Sequence, residues 1–149
     1  AGMSLRSELF DEFKKVFDQE VKKHLPSIEP AIDTDGILES EYLNLETAYL
    51  IENSGPWGQY FQKPLFRGDF VITERRVVGG RHLKMKVRPV SGGFPIDAIC
   101  FFCLDSEDAL MPENTVIRMA YELSINKFRG NETLQLMVKD FDVNTQIIN

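Results

Sequence analysis

Histidine and cysteine are scarce in this chain, two of each in 149 residues, and the histidines, His24 and His82, lie far apart. That scarcity excludes an Asp-His-His cluster or a histidine-rich metal site. The chain also lacks H-E-x-x-H, G-x-S-x-G and a Gly-rich phosphate loop of the Walker type. Asp33 and Asp35 are the carboxylates placed to hold a divalent cation, but they flank a glycine turn, and turn chemistry explains them without a metal. Nothing in these residues points to catalysis by the chain alone. Cys100 and Cys103 form a C-x-x-C inside the apolar run Ile99–Cys103. A zinc site needs a second ligand pair and a thioredoxin-like site needs a strand-to-helix context, so both cysteines are expected as buried, reduced thiols of a cytoplasmic protein. No apolar run reaches membrane-spanning length, and no basic region followed by an apolar core opens the chain, which excludes a membrane span and a visible secretion signal.

What is present is an ordinary globular balance, 43% hydrophobic and 27% charged residues, which argues against disorder, collagen and coiled coil. The net charge of −6 argues at first sight against nucleic acid. The charges are not evenly spread. Residues 1–63 hold six basic and twelve acidic side chains, whereas residues 64–149 hold eleven of each. In the second part, Arg75, Arg76, Arg81, Lys84, Lys86 and Arg88 crowd one stretch with Glu74 as the opposing charge, and Asp105, Glu107, Asp108 and Glu113 concentrate in a later loop.

The hydrophobic period changes at the same place. Leu5, Leu9, Phe10, Phe13, Val16, Phe17 and Val21 repeat with helical spacing, and Pro26 and Pro30 stop that helix. A second helix is predicted from an Asn44 cap to Asn53. From about Leu65 the period falls to two. Strands are predicted over 66–78, 82–88, 96–102, 116–126 and 133–141, with Gly79-Gly80 and Gly130-Asn131 as turns. The fold class is therefore α+β: an N-terminal helical segment followed by a five-stranded antiparallel barrel, of the oligonucleotide/oligosaccharide-binding (OB) kind or SH3-like. In 82–88, Leu83, Met85 and Val87 face one side and His82, Lys84, Lys86 and Arg88 the other. A basic strand face beside aromatic rings is what single-stranded nucleic acid requires. Phe128, Trp57, Tyr60 and Phe61 are the candidate rings, with Trp57 also suited to plug a turn. The same alternation is what a solvated sheet face shows, so peptide binding and a plain wet surface stand beside the nucleic-acid reading.

Five segments carry a further signal: Ala1–Leu5; Gly55-Pro56-Trp57-Gly58-Gln59 with Pro64-Leu65-Phe66; Arg81–Lys84; Ile96–Ile99; and Asn126–Leu136. In this order they resemble the C-terminal end of the RecJ family of bacterial single-strand-specific DNA exonucleases. The resemblance implies residues 1–30 as the last helix of the Asp-His-His-associated subdomain and its linker, 31–63 as a helical connector and 64–149 as an OB domain. It implies a parent that degrades single strands 5′ to 3′ with Mn²⁺ or Mg²⁺ in recombination and repair. The metal ligands and a Gly-Gly-His motif are missing from these residues, so a C-terminal fragment with no catalytic, metal or cofactor site is expected. Single-stranded DNA is the expected ligand, held by Arg81, His82, Lys84, Lys86, Arg88, Lys127, Phe128 and Arg129. The remainder of the nuclease core and repair proteins are the expected protein partners, the alternative being a protein-interaction module. No membrane partner is expected, and the chain is expected to be a cytoplasmic monomer.

Overall fold

The computed structural model describes residues 6–24, 32–103 and 111–147. The Ala1–Leu5 segment, Pro26, Pro30 and the acidic residues Asp105, Glu107 and Asp108 lie outside the described residues. The chain divides into two compact units, Ala1–Ile32 and Asp33–Asn149.

In the first unit a 3₁₀ turn, Ser7–Leu9, leads into helix α1, Phe10–His24. Asp11 and Glu12 in its first turn favour the helix N-terminus through the backbone dipole. Phe13 and Phe17, one turn apart, stack at 5.5 Å, while Phe10, Val16 and Phe17 remain exposed.

The second unit contains strand β1 (Gly36–Ile37), helix α2 (Leu45–Asn53) and strands β2 (Phe66–Val78), β3 (His82–Pro89), β4 (Ile96–Cys100), β5 (Thr115–Phe128) and β6 (Asn131–Ile147). Asn44 caps α2 as expected, its Oδ1 accepting the Thr47 N–H at 2.8 Å. The five long strands close into a ring of hydrogen bonds, β2-β3-β4-β6-β5 and back to β2. This is the OB-like α+β fold with two refinements. The β4–β6 pairing is parallel, and a sixth strand, β1, runs parallel to the start of β2. A two-residue strand has no period to read, so β1 is invisible to patterning. Asp35 secures it twice: its N–H donates to the Leu65 carbonyl at 2.8 Å and its carboxylate accepts the Leu65 N–H at 2.9 Å.

The core joins Phe70, Ile72, Leu83, Met85, Val87, Ile117, Met119, Leu123 and Leu136, with Leu43 and Ala48 from the α2 region. Burying such side chains contributes about 1.5–3 kcal/mol each. Among the described residues no helix is long and apolar enough to cross a membrane.

Candidate nucleic-acid interface

Strand β3 keeps the expected alternation: Leu83, Met85 and Val87 are buried, while Lys84 is half-buried and Lys86 and Arg88 are exposed. Register then decides what each cation meets. Directly paired residues share a face. One row across the outer face runs Arg76, Lys84, Ile99, Met137 and Glu122. The next runs Glu74, Lys86, Asp97, Gln135 and Ser124. Lys86 thus stands between two carboxylates and ion-pairs with Glu74 at 3.2 Å. In the first row Glu122 is engaged by Lys139 at 3.1 Å, and among the described residues neither Arg76 nor Lys84 forms an ion pair. A bulge at Thr73, whose hydroxyl donates to the Lys86 carbonyl at 3.1 Å, resets the phase of β2. Arg75 consequently pairs with buried Met85, whereas Arg76 pairs with Lys84.

The eight residues predicted to hold DNA fall in three groups. Arg81 and His82 lie at the β2–β3 turn, where Gly79 and Gly80 adopt φ of 60° and 75°. Lys84, Lys86 and Arg88 follow along β3; His82 to Arg88 spans about 20 Å at 3.3 Å per residue. Lys127, Phe128 and Arg129 occupy the β5–β6 turn. The register Asp97↔Gln135 puts that turn beyond the Ile96 end of β4, whereas Leu83↔Cys100 puts His82 at the other end. The basic strand therefore runs between the two turns. Arg129 and Gly130, with φ of 51° and 80°, form the tight hairpin turn. Phe128 is 63% exposed, the Arg129 guanidinium lies 5.2 Å from its ring centre, and Lys127 is paired with Glu132 at 2.9 Å.

The strand predicted over 96–102 stops at Cys100. Phe102 has φ of 55° and cannot continue the ladder; its N–H donates instead to His82 Nδ1 at 3.1 Å. The His82 ring meets Phe101 and Phe102 edge-to-face at 5.1 and 4.5 Å. Sequence patterning assigns these phenylalanines to a core strand, because an apolar run shows no turn signal. Their exposure, 47% and 74%, is a tertiary fact.

Of the other candidate rings, Trp57 is a packing residue. Trp57 Nε1 donates to the Ile51 carbonyl at 2.8 Å and its ring stacks on Phe61 at 4.9 Å, so it plugs the turn after α2. Tyr60 projects fully, 97% exposed. Cys100 and Cys103 are free thiols; Cys103 Sγ donates to the Cys100 carbonyl at 3.4 Å, and burial pushes the Cys100 thiol well above the usual thiol range. Asp69 and Arg118 form a two-pronged pair at 2.8 and 3.0 Å across β2 and β5, and this hydrogen bonding holds the Asp69 carboxyl below its ordinary value. The Mn²⁺ or Mg²⁺ implied for the parent finds no ligand set among the described residues. Among the described residues no three His, Cys, Asp or Glu side chains are grouped to hold an ion, and the Asp35 carboxylate is taken up by Leu65.

Comparison with known proteins bears on the family and the fold. A family model described as the RecJ OB domain matches residues 34–140. The chain is 44% identical over 144 residues to the single-stranded-DNA-specific exonuclease RecJ of Haemophilus influenzae, covering 93% of this chain and 24% of that protein. The same enzyme of Escherichia coli is 42% identical over 142 residues, again covering 93% and 24%. That of Salmonella typhimurium is 39% identical over 144 residues, covering 94% and 24%. The chain spans about a quarter of the length of these curated relatives. The crystal structure of RecJ in complex with Mn²⁺ from Thermus thermophilus matches with a TM-score of 0.62 at 20% identity, covering 98% of this chain and 21% of that one. The Mg²⁺ complex from the same organism gives 0.59 at 21% identity, covering 93% and 21%. At that identity the likeness concerns the fold.

Proposed function

The chain belongs to the RecJ OB domain family, and from that membership we propose that it is the C-terminal part of a 5′ to 3′ single-stranded-DNA exonuclease of recombination and repair, in which it holds the DNA strand. In this reading residues 1–30 close the Asp-His-His-associated subdomain, 31–63 connect, and 64–149 form the DNA-holding OB domain of a cytoplasmic, monomeric enzyme. The catalytic metal, Mn²⁺ or Mg²⁺, belongs to the remainder of that enzyme, and this chain alone does not hydrolyse DNA.

The observation that carries the reading is the row of Arg76 and Lys84, uncompensated among the described residues, on a sheet face whose two ends bear exposed aromatic rings. Cations along a track neutralise phosphates and flat rings take bases, which together make a sequence-tolerant single-strand site. Arg81, Arg88 and Arg129 extend the positive track, Phe128 offers a ring at its far end, and His82 acts by ordering the near end.

The test is fluorescence anisotropy of the 149-residue chain with single- and double-stranded oligonucleotides at several salt concentrations. Binding to single strands is expected to weaken with salt, with a log–log slope of about −0.7 per phosphate neutralised. Lys84→Glu with Lys86→Glu is expected to lower affinity and flatten the slope. A salt-independent response, or no loss in the double variant, overturns the assignment of this face.

A second reading, a protein-docking module, is favoured by a cavity of about 500 Å³ where β1, β2 and β5 meet, lined by Ile37, Leu38, Phe70 and Val90 with Arg67 and Arg118. Loss of association with the rest of the nuclease in Leu38→Asp, with oligonucleotide affinity unchanged, would support it.

A further inference from the structure

Two adjacent phenylalanines stand beyond the end of β4 in an arrangement that folding alone does not require. Phe102 is 74% exposed, so its ring adds little to the core, yet its backbone adopts φ of 55°, a left-handed conformation unfavourable for an aromatic residue. The conformation is enforced from outside β4, by the hydrogen bond from the Phe102 N–H to His82 Nδ1. The His82 ring lies at 84° to the Phe102 ring, 4.5 Å away. An edge-to-face contact covers at most one face of a ring, so at least one flat face of Phe102 is left open. Phe101, at 72° to His82 and 47% exposed, lies beside it.

Position adds a second argument. His82 pairs with Val78 across β2–β3, and one step along the same face comes the pair Arg76↔Lys84. Residues two apart on a strand lie on one face at about 7 Å. The His82 ring that holds these phenylalanines thus lies one step along the face from Arg76 and Lys84, which form no ion pair among the described residues, with Arg81 in the neighbouring turn.

We propose that Phe102, with Phe101 beside it and His82 as the positioning residue, is a platform on which a nucleobase of single-stranded DNA stacks at the turn end of the basic strand. The inference rests on the nucleic-acid reading and deepens it by assigning the base-stacking ring at the near end to a named residue and the ordering of that ring to His82. The strained backbone is the means of presenting the ring: a continued strand would direct Phe102 to the opposite face from Phe101.

The discriminating variant is Phe102→Asn. Asparagine tolerates the left-handed conformation, so the fold is kept while the ring is removed. In anisotropy titrations of the full chain with a short oligothymidine, Phe102→Asn is expected to weaken binding about 5- to 150-fold, the range for loss of one base–aromatic stack. The salt slope should be unchanged, because no phosphate contact is lost. Phe102→Trp should retain wild-type affinity, and its added indole fluorescence should be quenched by the oligonucleotide. Wild-type affinity in Phe102→Asn, alongside weakened binding in Lys84→Glu with Lys86→Glu, overturns the platform while leaving the strand face in place. A changed salt slope in Phe102→Asn overturns it as well. If the unmodified chain fails to bind single strands, the nucleic-acid reading falls and this inference falls with it. Should Phe102→Asn not fold, as judged by circular dichroism, Phe102→Leu is read by the same criteria.

Discussion

Burial at the β2–β5 seam sets the chemistry of Tyr121. It packs edge-to-face on Phe70 at 5.4 Å, is almost completely enclosed, and burial pushes its phenol up to about 12. A phenol whose folded value lies above its ordinary 10.0 stabilises the fold fully below pH 10. That contribution is lost as the pH rises from 10 through about 12. Stability measured by urea denaturation is therefore expected to fall over this window, and Tyr121→Phe is expected to flatten the decline. A tyrosinate absorbance step near pH 12, absent in Tyr121→Phe, is the spectroscopic check. At the same scale, Asn44 and the alternation of β3 were legible in the sequence, because a cap and a two-residue period are local properties. The role of His82 was not. Its partner Phe102 lies twenty positions away, and nothing local distinguishes a surface histidine from one that accepts a backbone N–H.

At the scale of elements, the basic strand is two kinds of site laid side by side. Lys84 has Arg76 and Ile99 as register partners, while Lys86 has Glu74 and Asp97. Coulomb attraction to a phosphate is offset where a carboxylate already stands within ion-pair distance. Lys84→Ala is therefore expected to lower single-strand affinity several-fold more than Lys86→Ala, in titrations at the same salt concentration. Equal losses would show that register does not govern the site. The β5–β6 hairpin offers a second element-scale test. Gly130 sits at φ of 80°, where a side chain is strained, so Gly130→Ala is expected to cost about 1–2 kcal/mol in urea denaturation. Strand existence was readable here, and five of the six strands among the described residues were found. Strand ends were less so: β4 stops two residues early because Phe102 turns left-handed, and β6 runs to Ile147.

For the whole molecule, residues 33–149 contain their own core. A chain beginning at Asp33 is expected to keep a single cooperative unfolding transition and the oligonucleotide affinity of the full chain. Leu136→Ala, at a fully buried position in that core, is expected to lose about 2–5 kcal/mol by urea denaturation. Net charge is a poor guide at this scale. The −6 resides in residues 1–63, and the neutral remainder separates its charges by position, so the total bears on solubility more than on ligand choice.

The sequence by itself determined the kinds of elements, their order, the change from helical to strand period near Leu65 and the RecJ family resemblance. These depend on near-neighbour patterning and on short motifs, both of which are written along the chain. Only the tertiary structure decided which cations stay outside ion pairs among the described residues, that Arg75 pairs with Met85 while Arg76 pairs with Lys84, and that Phe101 and Phe102 are exposed beside His82. Each of those outcomes depends on register between strands distant in sequence and on ring closure through the parallel β4–β6 pair. A shift of one residue in any of these pairings would turn every side chain of that strand to the opposite face.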